Sequence, residues 1–328
     1  MRSLPPRPAA RQDFEIAILC ALTVEADAVL SLFDKCWDEN ADGHPYDKAI
    51  GDPNAYTTGL VGCHNVVLTH LGGIGNVSAA GAAASVRISF PNIKLGLVVG
   101  VLCVVPSGFT EDERVLGDVI ISEAVVQYDF GRQYADRFVR KDTFFDMQGR
   151  PNQEIRNLLQ KLKGRFHRKQ LQEQMAKHLE SLQNGDSPKY KYPGKEDDLL
   201  FPPRYRHVND DKVCKVCCDT SKKVKRTRLH PNVANPMPMV HFGIVGSGNS
   251  VIKSSEDRSV LATPDGLIGF EMEGSGVWDS LPCVIIKGAC DYGDSHKTKV
   301  WQPYAAATAA ACTKAFLHHW APSQQTGQ

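Results

Sequence analysis

No apolar run in this 328-residue sequence approaches the roughly 20 residues that a helix needs to cross a bilayer. The first residues, MRSLPPRPAARQ, are basic and proline-rich and lack the apolar stretch of a secretory signal. Residues 1–12 are therefore expected to be a disordered lead into a soluble, cytoplasmic protein, with no membrane partner. A disulfide framework is also missing. The ten cysteines (20, 36, 63, 103, 214, 217, 218, 283, 290 and 312) are scattered. Cys20, Cys103 and Cys283 sit in apolar runs, where a free thiol behaves as a small hydrophobe. That usage fits a reducing compartment. There is no internal repeat and almost no net charge, at +1. The even balance hides an asymmetry. Between Arg156 and Arg228 stand 19 of the 38 Lys/Arg but 9 of the 37 Asp/Glu, leaving 19 basic and 28 acidic residues elsewhere.

What is present is an ordinary globular composition, 42% hydrophobic and 23% charged, long enough for a sizeable core. Residues 13–126 alternate apolar strands with helices. FEIAILCAL (14–22), HNVVLTHLGG (64–73) and IKLGLVVGVLCVV (93–105) read as strands. VEADAVLSLF (24–33) and the small-residue run NVSAAGAAASVRISF (76–90) read as helices. LGDVIISEAVVQY (116–128) predicts a strand pair or one bent strand. The pattern then changes from about 150 to 238. There, apolar residues at 155, 158, 159, 162, 166, 171, 175, 179 and 182 have helical spacing, with Gly164 as a break, and CKVCCDTSKKVKRTRLHP reads as loop. Strands resume at MVHFGIVGSG (239–248), GLIGFEMEG (266–274) and LPCVIIKGACD (281–291). WQPYAAATAAACTKAFLHHW (301–320) closes the chain as a helix with Pro303 in its first turn. Alternating strands and helices imply a sheet with helices on its faces.

Ligands of open α/β sheets bind beyond the carboxyl ends of strands, and polar residues gather at those ends here. Glu25 follows the first strand, LGGIGN (71–76) follows the next, and Asp291 follows the last. Taken singly, each has an ordinary reading: a first-turn glutamate favoured by the helix dipole, a weak G-x-G turn, a turn aspartate. FEMEG (270–274) is different, because unpaired carboxylates are costly in a buried strand. All of these are expected to meet on one rim.

The set A-L-x-x-E-A (21–26), G-G-I-G-N (72–76), S-G-N (247–249), E-M-E-G (271–274) and C-D-Y-G-D-S-H (290–296) resembles the nucleoside phosphorylase / methylthioadenosine nucleosidase superfamily. VVQYDFGR (125–132) and KGACDYGDSHKTKVWQPYAAATAAA (287–311) are similar to its fungal branch, related to the N-terminal effector domains of NLR-like proteins. The resemblance implies a three-layer α/β/α sandwich with a twisted mixed central sheet, part of it closed like a barrel. The domain would span residues 13–318 with a basic, partly helical insertion at about 150–238, and residues 319–328 would be a C-terminal tail. It implies cleavage of a nucleoside N-glycosidic bond without a cofactor. By resemblance, Asp291 is the acid at purine N7 and Glu25 orients the attacking water. Glu273 and Met272 bind the ribose, Val251 and Ile252 the base. Gly73, Gly75, Asn76 and Gly100 form phosphate or nucleotide turns.

The resemblance leaves the nucleophile to be decided. Phosphorylases of this superfamily hold phosphate with arginines, and the corresponding positions here are the Arg-free loop CALTVEADA and Val98, with Val101 at the hydroxyl position. A dianion without cations is implausible there, so water is favoured over phosphate, with phosphorolysis as the alternative. The expected substrate is an adenine nucleoside, or ATP by analogy with immune-effector relatives. Candidate 5′-phosphate contacts are Arg114, Arg132, Lys253 and Lys297, with His296 and Lys299 near them in sequence. Cys103 and Val104 stand where relatives carry glycines, and Asn76 where many carry lysine, which motivates a second hypothesis, a catalytically silent nucleotide-binding or assembly module. The basic segment is read as a solvated or acidic-partner surface rather than a nucleic-acid contact. Cys214 and Cys217 have zinc-like spacing with His207 and His230 flanking, but unligated thiols are the favoured reading, so no metal is assigned. A homo-oligomer, dimer or hexamer, is expected from the resemblance.

Overall fold

The structure, a computed structural model, describes residues 5–38, 46–107, 113–143, 146–185, 188–209, 211–230 and 236–321. The strands are β1 (Ile16–Cys20), β2 (Lys35–Cys36), β3 (Ala55–Val61), β4 (His64–His70), β5 (Leu95–Val104), β6 (Val119–Gln127), β7 (Gly131–Gln133), β8 (Phe138–Arg140), β9 (Val240–Ser247), β10 (Gly269–Glu271) and β11 (Cys283–Asp291). The helices are α1 (Thr23–Leu30), α2 (Asn76–Ser89), α3 (Gln153–Lys163), α4 (Arg165–Asn184), α5 (Cys214–Cys217), α6 (Ser255–Ala262), α7 (Gly274–Trp278) and α8 (Gln302–Leu317). None is long and apolar enough to cross a membrane.

Nine strands form one mixed sheet in the order β10-β9-β6-β11-β5-β1-β4-β3-β2, and β7 with β8 forms a separate hairpin. β1 is buried at every position and lies parallel to both β4 and β5. Its unbroken apolar sequence follows, because both faces of a parallel strand are covered. One further pairing changes the shape. β10 runs parallel to β9 and antiparallel to β5, with Phe270 opposite Gly246 on one side and Cys103 on the other. The five strands β5, β11, β6, β9 and β10 therefore close on themselves, which removes two exposed edges. β6 is one bent strand, with its register shifted between Ser122 and Ala124.

Several expectations need correction. β9 and β10 oppose β5 and β11, so the site is not a single rim of parallel carboxyl ends. Val101 to Val104 do not form a turn after β5; they continue the strand and pair with β11 and β10. Cys214–Cys217 is a helical turn rather than loop. Residues 5–12 do not hang free: the Tyr46 hydroxyl donates to the Pro8 carbonyl (2.7 Å), and the Arg7 guanidinium lies over the Tyr46 ring. Residues 1–4 lie outside the described residues. Of the C-terminal stretch, Trp320 packs into the core, and 322–328 lie outside the described residues.

The insertion is part of the main body. Gly164 separates α3 from α4, as its helix-breaking character predicts. α4 buries Leu171, Met175, Leu179 and Leu182 and packs on α8, whose other side lies on β11 and β5. α8 is therefore sandwiched, which explains its run of alanines. The approach to the sheet is closest at Gly288, where a Cβ would lie 2.0 Å from the Ala305 carbonyl oxygen. A methyl group there would push α8 off the sheet. Gly288→Ala should therefore lower stability by about 1–3 kcal/mol, read as a lower denaturant midpoint; an unchanged midpoint would contradict this packing.

Candidate active site

Glu25 is two residues into α1, and its buried carboxylate folds back on the preceding loop. Oε2 accepts from the amides of Ala21 (3.0 Å) and Leu22 (2.9 Å), and Oε1 accepts from Val101 N (2.8 Å) on β5. A Cβ at Gly100 would lie 2.0 Å from that Oε1, so the glycine gives the carboxylate its space. Burial pushes the Glu25 carboxyl up, against the opposing pull of Lys287.

Lys287, in the middle of β11, organises the carboxylates. Its ammonium lies 2.7 Å from Glu273 Oε2 and 4.0 Å from Glu271 Oε2, and all three side chains are buried. Burial opposes the charge on Lys287, but Glu273, Glu25 and Glu271 outweigh it and hold the lysine protonated. Burial alone would raise the Glu273 carboxyl; Lys287 brings it below the usual range. Glu271 is pushed up by burial. The two residues of E-M-E thus differ in role. Glu271 accepts from the amides of Glu273 (2.9 Å) and Gly274 (2.9 Å) and closes the turn into α7. Glu273 Oε1 receives the Gly75 amide (3.4 Å) and Oε2 the Lys287 ammonium (2.7 Å), and the carboxylate still lines the cavity.

Asp291 ends β11 just past a register shift between Ala289 and Asp291, the kind of irregularity that re-aims a side chain. Its Oδ1 accepts from Gly293 N (2.9 Å), and Oδ2 faces the Lys297 ammonium (2.8 Å). Cys103 is Asp291's partner on β5 and is buried beside it. A Cβ at Gly293, which has a φ of 62°, would lie 2.4 Å from Cys103 Sγ. The sulfur therefore fills space that only glycine at 293 leaves open. Burial pushes the Cys103 thiol far up, and Asp291 adds to the effect.

Glu25, Glu271, Glu273, Asp291 and Cys103 line one cavity of about 370 Å3, and Lys287 lies outside its lining. Among the residues expected to act, Glu25, Asp291, Glu273, Met272, Val251, Ile252, Lys253 and Lys297 line it, together with Lys299. Phe270, Tyr128, Leu102 and Cys103 supply apolar wall. Other expected residues are placed differently. Gly73, Gly75, Asn76 and Gly100 do not line the cavity. The amide of Gly75 serves Glu273 and that of Asn76 serves Asn249 Oδ1 (2.9 Å), so this turn holds protein groups rather than a phosphate. Arg114 donates to the Val105 carbonyl (2.7 Å), and Arg132 lies exposed on β7. His296 turns away from the cavity towards Tyr205 and Cys214. The sulfur that joins Cys214 there is that of Cys218, not Cys217, and His230 is not with them. Lys287 was not foreseen as a site residue. Its signal was present, since a lysine inside the apolar run VIIKGAC must find buried partners.

Solved structures with this architecture include nucleosidases bound to nucleoside analogues and a futalosine hydrolase. The Helicobacter pylori 5′-methylthioadenosine/S-adenosylhomocysteine nucleosidase bound to an immucillin analogue superposes with a TM-score of 0.58 at 15% identity, covering 94% of this chain and 99% of that one. The Neisseria meningitidis nucleosidase with methylthio-immucillin-A gives 0.55 at 15%, over 92% and 98%. The futalosine hydrolase of Helicobacter pylori gives 0.57 at 15%, over 95% and 100%. The chain has the nucleoside phosphorylase/nucleosidase fold. In sequence it is 32% identical over 314 residues to an NLR-like protein of the fungus Hyaloscypha variabilis. The match takes in 94% of this chain but only 29% of that relative's length. No protein-family model matches.

Replacing Lys287 by methionine would leave the carboxylate cluster without its buried cation, at a cost of roughly 3–5 kcal/mol. The pH dependence has a definite sign. In the wild type, Lys287 holds Glu273 below its unfolded value; this contribution is present above the unfolded value and lost as pH falls through the folded one. In Lys287→Met burial, the largest influence, is opposed only by backbone hydrogen bonds such as the long one from Gly75, so the folded value is expected to rise above the unfolded one and the penalty to grow with pH. The stability gap between the two proteins should therefore be largest near neutrality and shrink on acidification to about pH 5, measured by chemical denaturation. A gap independent of pH would refute this account.

Proposed function

We propose that the chain is a purine nucleosidase that hydrolyses the N-glycosidic bond of an adenine nucleoside or nucleotide, with water as nucleophile. The observation that carries this reading is the hydrogen bond from Val101 N to Glu25 Oε1. The β5 amide that could greet an anionic nucleophile is already occupied by a carboxylate. The position expected to carry a phosphate-binding arginine is Val98, buried in the core. A second anion beside Glu25 would meet its repulsion, and the buried cation Lys287 is already engaged by Glu273, Glu271 and Glu25, whereas Oε1 keeps a lone pair with which to orient water.

The remaining groups suit the charge changes of such a cleavage. Positive charge develops on the ribose, and Glu273, Glu271 and Glu25 together outnumber the single charge of Lys287. Glu273 offers its unused lone pairs to the ribose hydroxyls, and Met272 lies at the sugar. Asp291, once it has taken up a proton from solvent, passes that proton to purine N7, while Phe270, Val251 and Ile252 supply an apolar side of the cavity for the base. Lys253 and Lys299 reach the same cavity and are exposed, at a position suited to a 5′-phosphate chain; Lys297 is already engaged by Asp291.

Chromatography of reactions with adenosine, AMP and ATP should show adenine together with free ribose or its 5′-phosphorylated form, and added phosphate should not accelerate release. Formation of ribose 1-phosphate would overturn the choice of water. Asp291→Ala and Glu25→Gln should each lower kcat by about 10²–10⁴-fold. The double variant Lys253→Ala/Lys299→Ala should lower kcat/KM for ATP and spare adenosine. If ATP is turned over equally well by that variant, these lysines do not read a 5′-phosphate.

A further inference from the structure

Beside the cavity, four side chains from two distant parts of the chain converge. His207, Cys214 and Cys218 come from the insertion, and His296 comes from the loop after β11. One nitrogen or sulfur from each lies within 4.8 Å of all the others. Both cysteines and His296 are buried, and His207 is half-buried. Each sulfur approaches both imidazole Nδ1 atoms: Cys214 Sγ at 3.2 Å from His207 and 3.4 Å from His296, Cys218 Sγ at 3.3 Å and 3.7 Å. Tetrahedral zinc with Zn–S near 2.3 Å and Zn–N near 2.0–2.1 Å sets sulfur-to-nitrogen edges of about 3.5 Å. Two isolated S–H···N hydrogen bonds would account for two short edges. Four similar ones describe a polyhedron.

The outer partners fit as well. The Nε2 of His207 faces the Lys212 carbonyl (2.8 Å), and the Nε2 of His296 faces the Tyr205 carbonyl (2.9 Å). A carbonyl only accepts, so Nε2 carries the proton on both rings and each Nδ1 turns a lone pair inward. Metal-binding imidazoles are oriented in this way. The one-turn helix α5 explains the choice of cysteines. Positions 214 and 218 lie one turn apart on the same side. Cys217 instead points to the Asn209 and Lys212 carbonyls, on the Nε2 side of His207.

We propose that His207, Cys214, Cys218 and His296 form a structural zinc site. Two soft sulfurs and two imidazoles in a tetrahedral arrangement select zinc among common divalent ions. Binding converts two thiols to thiolates and releases two protons, so the filled site is neutral. The protein supplies all four ligands, which leaves no position for water or substrate and makes the role structural. The site joins the insertion to the loop that follows Asp291 and carries Lys297, and so holds the insertion against the cavity.

The full chain, purified from zinc-supplemented culture, should contain stoichiometric zinc by elemental mass spectrometry. After chelation and reloading with cobalt(II) it should show the visible bands of a tetrahedral thiolate site. Cys217→Ser should keep both signals, whereas Cys214→Ser and Cys218→Ser should lose them, and chelator should lower the Tm of the wild type. Should the ligand variants fail to fold, the wild-type cobalt spectrum still decides. A wild type that binds neither metal, a Cys217→Ser variant that loses metal as Cys218→Ser does, or a Cys214–Cys218 disulfide found under metal-replete conditions would overturn the proposal.

Discussion

The buried ion pair between Lys287 and Glu273 fixes more of this structure than any other contact. It lies where β11, the turn after β10, the N-terminal loop of α1 and the glycine turn before α2 meet, and each supplies a group to it or to its immediate partners. A buried ion pair is weak evidence for stability, since apolar replacements of similar volume often do as well. Here one ammonium serves three carboxylates, an arrangement that stability alone does not favour. In the proposed reaction the excess of carboxylates would provide a field suited to a cation on a bound sugar. The fold carries a desolvation cost in order to keep that field in place before any ligand arrives.

Barrel closure is the second constraint. Because β10 runs against β5, Glu273 approaches the middle of the sheet while Asp291 arrives from the end of β11. The carboxylates of Asp291 and Glu273 therefore come from the ends of strands of opposite direction. The same pairing accommodates Cys103 and Val104, which the sequence comparison marks as out of place. In an extended strand they need no glycine conformations. Val104 points into the core, and Cys103 fills the space beside Gly293. Of the two residues, Cys103 lines the cavity and Val104 does not.

Much of this was legible in the residues themselves. The strand and helix order, the helical insertion with its break at Gly164, and the burial of Cys20, Cys103 and Cys283 follow from apolar periodicity. Other features depend on pairings that no local pattern encodes. Lys287 looked like one polar residue in a strand because its three carboxylates are distant in sequence. The phosphate reading of Gly75 and Asn76 failed because their amides are engaged by Glu273 and Asn249, contacts made by closing the fold. C-x-x-C spacing draws attention to Cys214 and Cys217, whereas the helical turn, closed by the Cys218 amide on the Cys214 carbonyl, aligns Cys214 with Cys218. Residue His296, grouped with phosphate-binding lysines by proximity in sequence, faces the opposite way.

The charge asymmetry ends differently from its first reading. The basic insertion is complementary to the acidic remainder of its own chain. Arg226 pairs with Glu113 (2.8 Å) and Arg228 with Asp118 (2.9 Å), both with little exposure, while Lys189 reaches Asp27 and Lys163 reaches Glu123. Asp198, from the insertion, accepts from the Tyr292 hydroxyl (2.7 Å), and Arg226 also donates to it (3.1 Å). Tyr292 is the residue after Asp291. The insertion thus grips the chain immediately beyond the Asp291 carboxylate at the end of β11, and the His296 cluster grips the same loop four residues further on. A segment that looked like a solvated appendage is instead the support behind the proposed acid. Changes in the insertion would then be transmitted to Asp291 through two buried contacts, one polar and one built from sulfur and imidazole.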